Sequence, residues 1–140
     1  MLNNSQRTAP YRVVQWTTGN VGKSSVKAVA ANPNLELIGC YAWSPDKAGR
    51  DVGELVGIEP LGVTASNDAD ALLALKPDVV VYNPMWCNAD ELVKILESGA
   101  NVVATASFIT GHNLGAGRDR ALADFRDKVT GCEIVQRVKS

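Results

Sequence analysis

The sequence predicts an α/β fold, a three-layer sandwich around a mostly parallel, doubly wound sheet. Short apolar runs alternate with helix-type patterns about five times along the 140 residues. Most of these runs are continuously apolar, as in strands that are covered on both faces. Cap and turn residues separate the segments, which is the pattern of βαβ units with right-handed crossovers. Because ligands of such sheets bind outside the carboxyl ends of the strands, the residues that follow each strand are the candidate functional residues.

The strands are predicted from short runs of valine, isoleucine, leucine and aromatic residues. In chain order they cover residues 11–16, 35–43, 62–64, 79–82, 101–105 and 133–138. The run VVVY at 79–82 is the clearest of them. The last strand would form an open edge of the sheet, which invites pairing with another chain and hence a homo-oligomer.

The helices are predicted from apolar residues three and four positions apart and from cap residues. The first helix begins after Gly22, the second covers 51–56 and the third contains the leucines of 71–75. The fourth runs from Asn88 to Gly99, and the fifth covers 118–129. Val26, Val29 and Ala30 give the first helix one apolar face, and Pro33 stops it. The spacing of Asn88 and Glu91 resembles a capping box.

A glycine turn joins the first strand to the first helix in the stretch YRVVQWTTGNVGKSS, residues 11–25. The free N–H groups of a helix N-terminus and its dipole favour bound anions. The stretch therefore predicts a site for a phosphate-bearing ligand. The candidate residues are Thr17, Thr18, Gly19, Asn20, Val21 and Gly22, which act mostly through backbone N–H groups.

This turn fits two nucleotide-binding motifs, each with one departure. Residues 17–22 match G-x-G-x-x-G, and residues 17–24 match G-x-x-x-x-G-K-[ST], but Thr17 replaces the first glycine of both. A P-loop hydrolase also needs an Asp after an apolar strand, and a GTPase needs Asn-Lys-x-Asp, which the sequence lacks. The context favours dinucleotide binding. A P-loop nucleotide hydrolase remains an alternative, as does a turn that only lets strand and helix pack closely.

Residues 13–57 resemble the N-terminal half of dihydrodipicolinate-reductase-like NAD(P)-dependent oxidoreductases, including amine dehydrogenases related to 2,4-diaminopentanoate dehydrogenase. The resemblance is carried by the glycine turn, by Ser-Pro-Asp-Lys at 44–47 and by Gly-Arg-Asp-Val-Gly-Glu-Leu at 49–55, and it covers about 11–128. It implies an NAD(P)-binding Rossmann domain at 11–140 and hydride transfer between nicotinamide and a small amine or imine. It further implies that the nicotinamide side of the cleft is lined by Asn83, Pro84, Thr105 and Ala106.

Members of that family run to more than twice this length, and their second domain binds substrate and supplies the catalytic groups. The resemblance therefore implies that the substrate half is absent from these 140 residues. We expect the domain to be inactive alone, and no catalytic residue is assigned. A non-catalytic dinucleotide-binding module is the alternative function.

The choice of cofactor depends on the turn after the second strand. An NAD site usually has an acidic residue about 20 positions beyond the glycine turn, to bind the ribose 2′-hydroxyl. Here that position holds Trp43 and Ser44, and Lys47 follows. A hydroxyl and a cation suit a 2′-phosphate, so we predict NADP, with Ser44 and Lys47 at the adenosine ribose. Asp46 keeps NAD open as the alternative. Trp43 and Trp86 each follow a predicted strand, where they could stack on adenine or cap the pocket. Because large aromatic residues at strand ends more often belong to the rim of the core, that interpretation is favoured for both.

The composition excludes several other classes. A net charge of −1 does not indicate a surface that binds nucleic acid or an acidic membrane. No apolar run reaches the roughly 20 residues that a membrane helix needs. The polar residues 1–10 lack the core of a signal peptide and read as a disordered lead-in. Three scattered cysteines without a CxxC spacing suggest a reducing cytoplasm and no metal site. His112 is the only histidine, and no triad is indicated around it.

Overall fold

The computed structural model describes residues 8–85 and 88–105. Several predictions concern the rest of the chain and lie outside the described residues. They are most of the lead-in, Trp86, Cys87, Ala106, His112, Cys132, the helix at 118–129 and the strand at 133–138.

Strand and helix alternate through the described residues. The elements are β1 (Tyr11–Trp16), α1 (Asn20–Ala31), β2 (Leu35–Tyr41), α2 (Val52–Val56), β3 (Ala65–Ser66), α3 (Ala69–Ala74), β4 (Val79–Tyr82), α4 (Ala89–Glu97) and β5 (Asn101–Ala104).

The five strands form one sheet in the order β3-β2-β1-β4-β5, and each pairing between neighbours is parallel. The chain moves outward from β1 to β3 and then returns to place β4 on the other side of β1. Val13 of β1 pairs with both Leu37 of β2 and Val79 of β4, so β1 is the central strand. The direction of winding changes between β1 and β4, which makes this the switch point of a doubly wound sheet. The predicted α/β fold is confirmed.

Two hydrophobic clusters cover the two faces of the sheet. The larger one joins α3 and α4 to β1, β4 and β5, and its buried members are Val14, Trp16, Leu72, Leu73, Val80, Tyr82, Leu92, Ile95, Leu96, Ala100 and Val102. The smaller one joins α1 and α2 to β2 and β3, and consists of Val26, Cys40, Ala42, Val52, Val56 and Ala65. Apolar burial of this kind is worth roughly 1.5–3 kcal/mol for each large side chain. The helices thus lie on both faces, which gives the three layers.

The structure corrects three details of the sequence analysis. The third strand lies at Ala65–Ser66 and not at 62–64, because Gly62 has a φ of 74° and stands in a turn. The second strand ends at Tyr41, two residues early. In α1 the buried residues are Gly22, Val26 and Val29, whereas Ala30 is exposed, because the buried line follows the spacing i, i+4, i+7.

The carboxylate of Asp51 organises the segment around α2. It caps the helix by accepting a hydrogen bond from the Gly53 N–H (2.7 Å), and it accepts two more from the N–H groups of Leu61 (2.9 Å) and Gly62 (2.8 Å). These backbone donors, Leu61 foremost, hold the pKa of Asp51 below its ordinary value because they stabilise the charged form. One carboxylate thus closes the loop that returns the chain from α2 to the sheet.

The cap of α4 is only half of the predicted capping box. The Asn88 side chain accepts from the Glu91 N–H (3.1 Å), as predicted. The Glu91 carboxylate, however, accepts from the Tyr82 hydroxyl (3.1 Å), and that hydroxyl accepts from the Asn88 N–H (3.1 Å). The hydroxyl of a buried strand residue therefore links the two halves of the box.

Candidate functional site

A cleft of about 510 Å³ opens at the carboxyl ends of the central strands. It lies at the switch point between β1 and β4, where the sequence analysis places the ligand. Its volume is within the range of small-molecule and cofactor sites. The described lining residues are Thr17, Thr18, Gly19, Ala42, Trp43, Ser44, Lys47, Asn83, Pro84 and Met85.

Thr17 replaces the first glycine of the motif but adopts a backbone shape that glycine favours. Its φ is 77°, which is rare for a β-branched residue. Three hydrogen bonds hold it there: its N–H donates to the Tyr41 carbonyl (2.9 Å), its carbonyl accepts from Gln15 Nε2 (3.1 Å), and its hydroxyl donates to the Asn83 carbonyl (3.0 Å). The departure from the motif therefore changes the residue and leaves the turn conformation intact.

The two glycines of the turn have different surroundings. A Cβ on Gly22 would lie closer than 3.0 Å to the carbonyl oxygen of Thr17, so only glycine lets α1 pack this closely on β1. A Cβ on Gly19 would meet no described atom within 4 Å. Gly19 is the N-cap of α1, and no side chain in the described part of the chain caps that helix end. The first N–H groups of α1, at Asn20, Val21 and Gly22, are therefore left to a ligand or to solvent.

The turn after β2 brings its polar residues to the glycine turn. The N–H of Lys47 donates to the Ser44 carbonyl (3.1 Å), and this turn directs Lys47 back across the cleft. Its Nζ donates to Thr18 Oγ1 (3.2 Å), a residue of the glycine turn. Asp46 is exposed and is not among the described lining residues.

Trp43 stands in the wall of the cleft and 73% of its surface is exposed. The interpretation of Trp43 as part of the core rim is therefore wrong. Trp16 fills the core instead, stacked on Tyr41 at a ring separation of 4.4 Å.

A polar cluster lies behind the turn, and the sequence analysis missed two of its four members, Gln15 and Ser25. Gln15 is fully buried, and its Nε2 donates to Asn83 Oδ1 (2.9 Å). Ser25 Oγ also donates to Asn83 Oδ1 (3.1 Å), and Asn83 Nδ2 donates to Thr105 Oγ1 (3.1 Å). The cluster ties β1, α1, β4 and the end of β5 together. A glutamine inside the apolar run YRVVQW is the signal that could have revealed it.

The described residues offer little support for other chemistries. Among them, no three His, Cys, Asp or Glu side chains come together as a metal site would require. Burial raises the pKa of the Cys40 thiol to about 12, so this thiol stays neutral and acts as part of the core. No helix in this part of the chain is both long and apolar enough to cross a membrane.

Comparison with known protein families decides the assignment. The family described as dihydrodipicolinate reductase, N-terminus, matches residues 13–108. The chain belongs to this family. The resemblance that the glycine turn, residues 44–47 and residues 49–55 indicate is thus confirmed, and with it the place of the chain in a dinucleotide-binding, oxidoreductase-type Rossmann family.

Two curated relatives illustrate the similarity. The 4-hydroxy-tetrahydrodipicolinate reductase of Synechococcus elongatus is 32% identical over 130 residues, which cover 88% of this chain and 46% of the reductase. The amine dehydrogenase of Streptomyces virginiae is 41% identical over 124 residues, which cover 83% of this chain and 32% of that enzyme. The alignments thus reach less than half of the length of either relative.

Solved structures show the same fold. The amine dehydrogenase of Mycobacterium smegmatis superposes with a TM-score of 0.73 at 22% identity, over 92% of this chain and 39% of that one. The scyllo-inositol dehydrogenase of Lactobacillus casei, solved with NAD(H) and scyllo-inositol, gives a TM-score of 0.62 at 14% identity, over 91% of this chain and 36% of that one.

Proposed function

We propose that this domain binds NADP(H) in the cleft, as the cofactor domain of an oxidoreductase that transfers hydride between nicotinamide and a small amine or imine. The observation that carries the proposal is the cleft itself, which places an uncapped helix N-terminus, a glycine turn and a lysine at the switch point of the sheet. The names of the relatives, a reductase and an amine dehydrogenase, support the reaction class.

Each side of the cleft fits one part of the cofactor. The first-turn N–H groups of α1 suit the pyrophosphate, and the open space at Gly19 lets it approach the backbone, beside Thr17 and Thr18. Ser44 and Lys47 suit the adenosine ribose. Asn83, Pro84 and Thr105 follow β4 and β5 and suit the nicotinamide ribose, as does Ala106, which lies outside the described residues. The bound cofactor supplies the hydride, and the protein orients it and limits the access of water.

NADP is favoured over NAD by the charge of the described lining. None of its residues is acidic, and Lys47 reaches the glycine turn across the cleft. A carboxylate beside the adenosine ribose would repel a 2′-phosphate, whereas the ammonium of Lys47 and the hydroxyl of Ser44 attract it.

The test is a fluorescence titration with NADPH and NADH. Lys47→Met should weaken NADPH binding by roughly 10- to 100-fold, because hydrogen bonds to charged groups contribute about 1.5–3 kcal/mol, and should leave NADH binding unchanged. Lys27→Met is the matched control, because Lys27 is exposed on α1 and outside the described lining. Equal affinity of the wild-type chain for the two cofactors, or no affinity for either, would contradict the proposal.

We infer that residues 11–140 act as one cofactor domain and that the catalytic groups belong to a second domain, as the greater length of the relatives suggests. On this basis the chain alone is a dinucleotide-binding module that turns nothing over. Steady oxidation of an amine with NADP+ by these 140 residues would overturn that view. The scattered cysteines fit a cytoplasmic location.

A P-loop hydrolase is less well supported. Its lysine must reach the bound phosphates, but Lys23 is exposed and is not among the described lining residues. Magnesium-dependent release of phosphate from ATP or GTP would favour the hydrolase.

A further inference from the structure

The orientation of the Gln15 side-chain amide is fixed by its surroundings. Its Nε2 lies 3.1 Å from the Thr17 carbonyl and 3.4 Å from the Trp16 carbonyl. A backbone carbonyl only accepts hydrogen bonds, so the atom that faces both must be the nitrogen. The opposite atom, Oε1, is buried and finds no partner in the described part of the chain. The reverse orientation would cost more, because it would press Oε1 against two carbonyl oxygens.

The orientation of Asn83 follows from that of Gln15. Since Gln15 Nε2 is a donor only, the Asn83 atom at 2.9 Å from it must be the acceptor, Oδ1. Ser25 Oγ donates to the same oxygen. Asn83 is 8% exposed, and its Nδ2 must therefore face Thr105 Oγ1 at 3.1 Å.

The chain of hydrogen bonds that runs from Gln15 through Asn83 ends at the Thr105 hydroxyl. Because Thr105 Oγ1 accepts from Asn83, its own hydrogen must point elsewhere, and no described residue accepts it. Thr105 is exposed at the end of β5, and it follows Ala104 just as Asn83 follows the paired residue Tyr82 of the parallel strand β4. Thr105 is not itself among the described lining residues, but it is hydrogen-bonded to Asn83, which is. We propose that Asn83 is a positioning residue that makes the Thr105 hydroxyl a donor to an oxygen acceptor in the nicotinamide riboside half of the cofactor. This inference rests on the proposed function.

The test is a double-mutant cycle on NADPH affinity. Thr105→Val removes the donor and should weaken NADPH binding about five- to tenfold, the worth of one hydrogen bond, while Thr105→Ser should stay within about twofold of wild type. Asn83→Asp presents only acceptors to Thr105, so the hydroxyl hydrogen turns inward, and we expect a similar loss of affinity. In the Thr105→Val background, the loss of affinity caused by Asn83→Asp should then be clearly smaller than in wild type.

The double-mutant cycle distinguishes a change in the direction of the Asn83–Thr105 hydrogen bond from the effect of the negative charge that the aspartate adds. Charge repulsion toward the cofactor would act equally in the Thr105→Val background, so a loss as large there as in wild type would overturn the role of Asn83. Adenosine 2′,5′-bisphosphate lacks the nicotinamide half, and Thr105→Val should bind it as wild type does. Equal losses for both ligands would contradict the proposal.

Separate controls distinguish a loss of folding, and a failure of the proposed function, from a failure of this inference. Thr105→Ser keeps the acceptor for the buried Asn83 amide and should keep the wild-type melting temperature, whereas Thr105→Val removes that acceptor and should lower it. Affinities are therefore compared at a temperature at which both variants are folded, and they test the donor even where Asn83→Asp fails to fold. If wild type binds NADPH and Thr105→Val binds it equally well, the inference fails and the proposed function stands. If wild type binds no NADPH, the proposed function itself fails.

Discussion

Gly22→Ala tests how closely the glycine turn holds α1 against β1. The added methyl would overlap the carbonyl oxygen of Thr17 and lie 3.2 Å from Gln15 Nε2. Neither atom can retreat easily, because Thr17 is fixed by three hydrogen bonds and Gln15 is fully buried. Overpacking of this kind costs about 1–3 kcal/mol. Loss of the bond between Gln15 and Thr17 adds about 1 kcal/mol, which the better helix propensity of alanine offsets by about the same amount.

The expected net result is a free energy of unfolding that is lower by about 1–3 kcal/mol. Urea unfolding followed by circular dichroism should show it as a midpoint that falls by on the order of 1 M, given the usual slopes of about 1–3 kcal/mol per M. An unchanged midpoint with an unchanged slope would refute the steric reasoning.

Gly19→Ala is the matched control, because the same methyl meets no atom of the described residues within 4 Å and the φ of −70° suits alanine. Stability should stay within about 1 kcal/mol of wild type, since the entropic gain and the poorer N-cap are of similar size. The methyl would nevertheless stand where the pyrophosphate approaches, so NADPH affinity should fall. If Gly19→Ala is destabilised as much as Gly22→Ala, the loss reflects the turn in general and not the close packing at one glycine.

Two further predictions concern stability. The lowered pKa of Asp51 means that its contribution is present above its unfolded pKa of about 4 and is lost as the pH falls through the folded value. Asp51→Asn should therefore be less stable than wild type at neutral pH, with a flatter loss of stability between about pH 5 and 3 in urea titrations. Parallel curves for the two proteins would disprove the role of the carboxylate. Tyr82→Phe should lower the free energy of unfolding by about 1–2 kcal/mol, because Asn88 and Glu91 lose their shared partner. In Glu91→Ala, which lacks the carboxylate that accepts from the hydroxyl, the same change should cost less, and strict additivity would argue against a linked cap.

The sequence was informative wherever structure depends on neighbours in the chain. The run VVVY became β4, and the cap residues Asp68 and Asn88 accept from the N–H groups three positions later, as their residue types indicate. The turn at Ser44 and Lys47 is also local, which is why the position of Lys47 in the cleft was predictable.

Prediction was weakest where distant strands impose the conformation. The positive φ of Thr17 depends on partners in β2 and after β4, and no local pattern announces it. Motif matching therefore counts Thr17 as a defect, although it has the backbone shape that the motif requires. Likewise, Gln15 and Asn83 are 68 positions apart and meet only because β4 pairs with β1. Trp43 was misjudged as core rim because strand-end aromatics are usually covered, whereas β2 ends early and leaves it in the cleft.

The hydrogen bonds of Gln15 Nε2 show why a polar residue occupies the central strand of the sheet. Leucine at this position would remove Oε1, a buried acceptor that has no partner among the described residues. The carbonyl of Thr17 would lose its hydrogen bond from Nε2, and Asn83 Oδ1 would retain only the hydrogen bond from Ser25. A buried polar group that loses its partner costs about 1–3 kcal/mol, so the exchange gains nothing in stability. It would also release the Asn83 amide to rotate, and the direction of the hydrogen bond to Thr105 would no longer be determined. The glutamine is thus best understood as the residue that gives the candidate site both its turn geometry and its polarity.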